Sequence, residues 1–237
     1  MCIRDSFYGG VSKGIEKRTK VKTRIVATAL MELIESSSNV ILMGHKFADL
    51  DALGAAVGLM KSVRQMGKPA VTAISRSRNL VSTLLQRLEQ SGGYENSFLD
   101  PEEAMQRVTD ETLLIIVDTH TEHVVESPEL YRACKNVVVI DHHRRMVGYI
   151  ENAVIFYHEP YASSASEMVT ELAQYFNTKQ QLGRVEAEAC LLYTSLRVPS
   201  RGETPFSGCG RLRTLRFPQQ WGWGRCPGAG SSRQWLL

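Results

Sequence analysis

The chain has 237 residues and a formal net charge of +3, which is room for one large or two small soluble domains and gives no electrostatic case for gripping duplex nucleic acid. No apolar run reaches the ~18 residues of a membrane helix, and no signal peptide is evident. Five cysteines (Cys2, Cys134, Cys190, Cys209 and Cys226) have no paired spacing, which fits the reduced thiols of a cytoplasmic protein and not a disulfide framework.

Residues 7–20, from Phe7-Tyr8-Gly9-Gly10 to Lys20, are polar, basic and glycine-containing, the composition of a linker. From Lys22 to Glu35, Ile25, Val26, Leu30, Leu33 and Ile34 recur at helical spacing. This predicts a lead-in helix, ended by Ser36-Ser37-Ser38. Strand and helix then alternate. Asn39–Met43 predicts the first strand, and Leu53–Met66, stopped by Gly67, the helix after it. Pro69–Ile74 reads as the second strand and Leu80–Leu88 as a helix ended by Gly92-Gly93. Asp100-Pro101 opens a short helix with Asp at the cap and Pro in the first turn. Thr112–Val117 is the third strand, Glu129–Cys134 a short helix, Val137–Ile140 the fourth strand and Ala153–Tyr157 the fifth. Ser163-Ser164 caps a helix from Ala165 to Phe176, and a last helix begins near Arg184.

The first, third and fourth strands are continuous apolar runs, the pattern of strands covered on both faces. Their alternation with helices predicts an α/β fold. The expected architecture is a doubly wound, mainly parallel five-stranded sheet with helices on both faces, cut short before its last elements. Right-handed crossovers then put every strand exit on one edge.

Composition breaks near the end. From Leu196 onward the chain has seven Arg, no Lys and a single acid, Glu203, and all three Trp lie there. Hydrophobic periodicity stops. Met1–Ser6 and Cys190–Ser195 resemble translated sequencing-adapter fragments, and beyond Ser195 the reading frame looks lost. The expected organisation is an artefact at 1–6, a linker or the end of a preceding domain followed by a lead-in helix at 7–35, one α/β domain at 36–189, and a disordered tail without native structure or function at 190–237. A basic interaction tail is the competing reading of that last segment.

The chemistry gathers at three strand exits. The first strand runs into His45, Asp49 and Asp51, the third into Asp118 and His120, and the fourth into Asp141, His142, His143 and Arg144. Four of the seven aspartates and four of the six histidines lie in these three turns, too many to treat as chance polar loops. Carboxylates this close repel unless something positive sits between them. Mixed carboxylate and imidazole ligands suit Mn, Fe or Zn better than Ca. The ligand count fits two ions, the arrangement that lowers the pKa of a shared water and clamps an in-line phosphoryl displacement.

The His-x-x-x-Asp-x-Asp turn, the Asp-Thr-His turn and the Asp-His-His-Arg turn, each after an apolar strand, resemble the first three motifs of the DHH phosphoesterases. The resemblance covers residues 36–189. It implies that His45 and Asp49 bind a first metal, Asp51 and His142 a second, and that Asp118 bridges both. The two ions implied are divalent, Mn²⁺ first. His143 would face the substrate phosphate as hydrogen-bond donor or general acid, beside a catalytic Asp118. Arg144 would contact phosphate. Asp141 would orient an imidazole from behind, and His120 would have a similar supporting place, while His123 reads as solvent-facing. A fourth metal-binding Asp is part of the family pattern, but no Asp follows Asp141. The family's glycine-rich C-terminal substrate domain is also missing from the sequence, so the chain as encoded is expected to be impaired.

Tyr8-Gly9-Gly10, the basic run Lys17–Lys22, Asp141–Arg145 and Tyr161–Glu167 resemble the membrane-anchored cyclic-di-AMP phosphodiesterases that carry a degenerate GGDEF domain before the DHH domain. The expected activity is hydrolysis of cyclic di-AMP to pApA by hydroxide activated on two metals. The alternatives are a nanoRNase or bisphosphate-nucleotide phosphatase, and a non-catalytic nucleotide-binding module. The partner implied is a cyclic dinucleotide or short oligonucleotide. The membrane would be reached only through N-terminal segments of a longer parent, and a homodimer stays open.

Overall fold

The computed structural model describes residues 11–76, 81–176 and 185–190, all within one compact unit, Met1–Pro199. The expectations for residues 1–6 and for 191–237 lie outside the described residues.

Helix α1 (Val11–Ser36) leads into strand β1 (Asn39–Met43), helix α2 (Leu50–Gln65) and strand β2 (Ala70–Ala73). Helix α3 (Ser82–Gln90), strand β3 (Phe98–Leu99) and helix α4 (Pro101–Met105) follow. Then come β4 (Thr112–Val117), α5 (Pro128–Ala133), β5 (Asn136–Asp141), β6 (Ile155–His158) and α6 (Ala165–Ala173). A further helical stretch, α7, covers 185–190.

The six strands form one sheet in the order β3-β2-β1-β4-β5-β6, and every neighbouring pair is parallel. Six strands stand where five were expected. The added one is β3, two residues long, paired only to β2, and a two-residue strand leaves no periodicity to read. β1, β4 and β5 are buried along both faces, as their unbroken apolar runs require. One face carries a core with Leu42, Leu53, Leu59 and Leu172, and the other a core with Ile41, Ile116, Leu130 and Val139. The sheet is therefore wound on both sides. Strand order reverses between β1 and β4, and the crevice outside such a reversal is where open α/β sheets hold ligands.

Three boundaries differ from the sequence reading in ways that matter. Helix α1 already runs from Val11, inside the stretch read as linker. It packs into the same core through Ala27, Leu30 and Ile34, and Thr23 Oγ1 hydrogen-bonds the buried Tyr157 hydroxyl at 2.8 Å. Helix α2 begins three residues earlier than expected because Asp49 caps it, accepting the N–H groups of Asp51 (2.9 Å) and Ala52 (3.0 Å). Asp51 thus lies in a helical turn and not in a loop. Cys190, assigned to the tail, is helical and buried.

Cys190 is buried because α2 has a glycine face. A Cβ on Gly54 would come within 2.6 Å of the Ala189 carbonyl oxygen and 2.8 Å of Ser166 Oγ. The absent side chain lets α6 and α7 approach the α2 backbone, and Cys190 Sγ donates to the Gly54 carbonyl at 3.4 Å. Gly54→Ala is expected to destabilise the domain by about 1–3 kcal/mol, the usual cost of overpacking. Urea denaturation checks this, and an unchanged midpoint would refute the close approach.

Candidate metal centre

Each turn is shaped by local chemistry. After β1 the backbone of Lys46 donates to Val124 O (2.9 Å), and Gly44 O accepts from Glu126 N (3.0 Å). These bonds pin the His45 turn to the segment after β4. Asp118 follows β4 with φ +59°, a left-handed conformation that costs a non-glycine residue on the order of 1–3 kcal/mol and is found where surrounding structure enforces it. Here its N–H is held by Ile140 O at 3.0 Å. Asp141 is the last residue of β5, completely buried, with His142 and His143 in the turn beyond.

The side chains converge on Asp118. His45 Nε2 lies 3.5 Å from Asp118 Oδ2 and 3.7 Å from Asp49 Oδ1. His142 Nε2 lies 3.4 Å from Asp118 Oδ1 and 3.4 Å from Asp51 Oδ2. These separations exceed the ~2.7–3.2 Å of an N–H···O hydrogen bond. They match two ligand atoms each about 2.1 Å from a shared ion at an angle near 110°, which lie roughly 3.4 Å apart. Two donor sets emerge, His45–Asp49–Asp118 and Asp118–His142–His143, each with its ligand atoms within 4.8 Å of one another. Asp118 belongs to both. Its Oδ1 is buried without a hydrogen-bond partner, a costly state for a carboxylate oxygen that a cation would relieve. The residues present therefore fit divalent metal.

Asp51 and His142 are set by α6. Asp51 Oδ2 accepts from Ala165 N (2.9 Å), and Oδ1 accepts from Ser166 N (2.8 Å), so the carboxylate is fixed by the start of that helix. His142 Nδ1 donates to Ala162 O at 3.3 Å. That contact turns Nε2 toward Asp118 and Asp51, the usual way a metal-binding imidazole is oriented.

Asp141 serves the other two histidines. One oxygen is in very short contact with His120 Nδ1. The other accepts His143 Nδ1 at 2.8 Å and His143 N at 3.2 Å. His120 Nε2 accepts from Met146 N at 3.0 Å, so its proton sits on Nδ1 against Asp141. His143 Nδ1 is also 3.5 Å from Asp118, but the closer Asp141 contact leaves Nε2 facing outward on a half-exposed ring.

The charges follow from this packing. Burial works against the imidazolium of His45, but Asp118 and Asp49 override it and push its pKa up to about 9. The neighbouring carboxylates of Asp118 and then Asp51 push His142 up to about 10, against burial. Asp141 raises His143. Burial alone would raise the Asp141 carboxyl, yet its bonds to His143 and His120 hold it at about 2. Burial raises Asp49 too, and His45 with the capped N–H groups brings it below the ordinary carboxylate range. Without metal, protons on the imidazoles balance the carboxylates.

The structure thus brings together His45, Asp49, Asp51, Asp118, His142 and His143, with Asp141 and His120 directly behind. Asp51 is near His142 but falls outside both donor sets. Arg144 is exposed on the loop after β5, and His123 faces solvent. Sequence reasoning missed the backbone of Ala165 and Ser166, which holds Asp51. The Ser163-Ser164 cap signalled the helix but not its target.

Metal ligands must be deprotonated, so metal competes with protons on His45 and His142. Metal affinity is expected to rise from pH 7 to pH 9 and to level off above about pH 10, with about one proton released per ion, about two in all, at pH 7.5. Calorimetry in buffers of different ionisation enthalpy measures both. Affinity independent of pH across that window would rule these imidazoles out as ligands. The linked stability has the opposite sign. Raised histidine pKa values stabilise the metal-free fold fully below about pH 6.5, and this contribution fades as pH climbs through 9 to 10. The melting temperature in EDTA should fall over that range, and a flat profile would contradict the pairing.

The sequence profile of the DHH family, N-terminal domain, matches residues 39–195. The cyclic-di-AMP phosphodiesterase GdpP of Bacillus subtilis (strain 168) is 41% identical over 187 residues, which is 78% of this chain and 28% of that protein. The cyclic-di-AMP phosphodiesterase PdeA of Listeria monocytogenes serotype 1/2a (strain 10403S) is 37% identical over 187 residues, with the same 78% and 28% coverage. The chain spans about 28% of the length of these curated relatives. Among solved structures, an exopolyphosphatase-related protein from Bacteroides fragilis superposes with a TM-score of 0.56 at 17% identity, over 71% of this chain and 50% of that one, and so shares the fold. With its three strand-exit motifs gathered on one carboxylate and a family profile matched across the whole sheet, this chain belongs to the DHH family.

Proposed function

We propose that this chain carries the metal-binding half of a manganese-dependent phosphodiesterase that opens cyclic di-AMP to pApA. The observation that carries the chemistry is Asp118, buried, left-handed and common to two donor sets. The substrate assignment is supported by relatives of 37–43% identity named as cyclic-di-AMP phosphodiesterases.

His45, Asp49 and Asp118 would hold one ion, and Asp118, His142 and the neighbouring Asp51 a second. Divalent cations there would supply a water of lowered pKa and draw charge from the phosphate. The protein's own groups do the rest. The start of α6 keeps Asp51 from swinging away. Asp141 accepts a hydrogen bond from the Nδ1–H of His143, which leaves Nε2 to give a proton to the departing ribose 3′ oxygen as water adds to phosphorus. The raised pKa of His143 favours the protonated ring that this step needs. Arg144, exposed in the same loop, is within the segment that would meet non-bridging phosphate oxygens.

The test is a chimera in which the matching segment of the Bacillus subtilis relative is replaced by this chain's domain, incubated with cyclic di-AMP and Mn²⁺. pApA should accumulate. Cleavage of linear dinucleotides alone would overturn the substrate assignment. Asp118→Asn should lower turnover by more than about 100-fold, beyond what loss of an outer partner costs a metal site. His143→Gln should lower turnover of cyclic di-AMP by about 10²–10⁴-fold, but far less for bis(p-nitrophenyl) phosphate, whose leaving group needs no proton. Equal losses on both substrates would remove His143 as the acid.

A further inference from the structure

Among the described residues, two aromatic rings stand strongly exposed, Phe47 at 61% and Tyr161 at 88%. A single exposed ring calls for no account. These two bracket the metal centre. Phe47 lies midway along the turn between His45 and Asp49, both in the first donor set. Tyr161 adjoins Ala162, whose carbonyl accepts from His142 Nδ1, a member of the second set. Their parent strands, β1 and β6, are separated by β4 and β5. Three inter-strand spacings of about 4.8 Å put those strands roughly 14 Å apart. Asp118, at the end of β4, falls between them.

We propose that Phe47 and Tyr161 are stacking platforms for the two nucleobases on either side of the phosphate held at the Asp118 centre. This rests on the phosphodiesterase reading above and adds how the dinucleotide is gripped. Bases stacked on each other sit about 3.4 Å apart, so a dinucleotide that reaches both rings lies splayed open. Its phosphate is then exposed between the bases, where the donor groups converge. Lys46 Nζ sits 5.3 Å from the centroid of the Phe47 ring, a cation beside that ring and on the residue after His45. Every base has a π-face, so such rings accept any base and favour the larger purines. Selection between bases is therefore weak on this side of the site.

The experiment uses the 237-residue chain in Mg²⁺ and a linear, 5′-phosphorylated dinucleotide of 2-aminopurine, whose fluorescence is quenched on stacking. Phe47→Leu and Tyr161→Leu should each weaken binding about tenfold, within the range for loss of one base–aromatic stack, and reduce the quenching. Phe47→Trp should restore both. Competition by inorganic phosphate and the melting temperature should be unchanged in every variant. Wild-type affinity in both leucine variants would overturn the stacking assignment. A wild-type chain that binds inorganic phosphate as tightly as the dinucleotide overturns it too and leaves the phosphate chemistry standing. Binding of neither ligand with metal present overturns both readings.

Discussion

Carboxylates forced together in a poorly solvated place repel each other unless positive charge is supplied, and that constraint organises this molecule. Asp118 is the extreme case. Its side chain is 1% exposed, its backbone is left-handed, and Oδ1 has no hydrogen-bond partner. Three imidazoles approach it at 3.4–3.5 Å without closing to hydrogen-bond distance. The site is arranged for an ion that its own side chains only stand in for.

Much of the surrounding structure exists to hold that arrangement. β1, β4 and β5 are buried on both faces and act as rigid stalks. Helix α2 is capped by Asp49, and helix α6 grips Asp51 through two backbone N–H groups. Asp49 and Asp51 thus each double as a fastening for a helix terminus, whose partial positive charge favours the carboxylate. α2 and α6 in turn lie close because Gly54 offers no side chain to Ser166. The packing of two helices and the spacing of the acids are therefore one problem with one solution.

Behind the first ring of donors, Asp141 joins His120 and His143 into one hydrogen-bonded line ending at the backbone of Met146. This line ties the exposed loop after β5 to the sheet. It explains how a loop exposed from His143 to Gly148 can still present one imidazole in a defined direction. Phe47 and Tyr161 are exposed on loops that leave the same sheet edge, so polar centre and exposed aromatic rings share a single set of loops.

Much of this was legible before folding. Unbroken runs such as Thr112–Val117 identify buried parallel strands, and the acids directly after them identify the working edge. Those signals are local, so the sequence alone determined the α/β class, the strand exits and the residue types at the site. It could not show the two-residue β3 at the sheet edge, which has no pattern of its own. It also placed Asp51 in a loop and ended the native fold before Cys190, which in fact packs against α2. Tertiary structure decided which acids share a neighbour, that Asp51 answers to the start of α6, and that Asp118 turns left-handed to face two donor sets. These depend on contacts between residues up to 115 positions apart, and spacing along a chain carries no record of which distant groups will compete for the same space and the same charge.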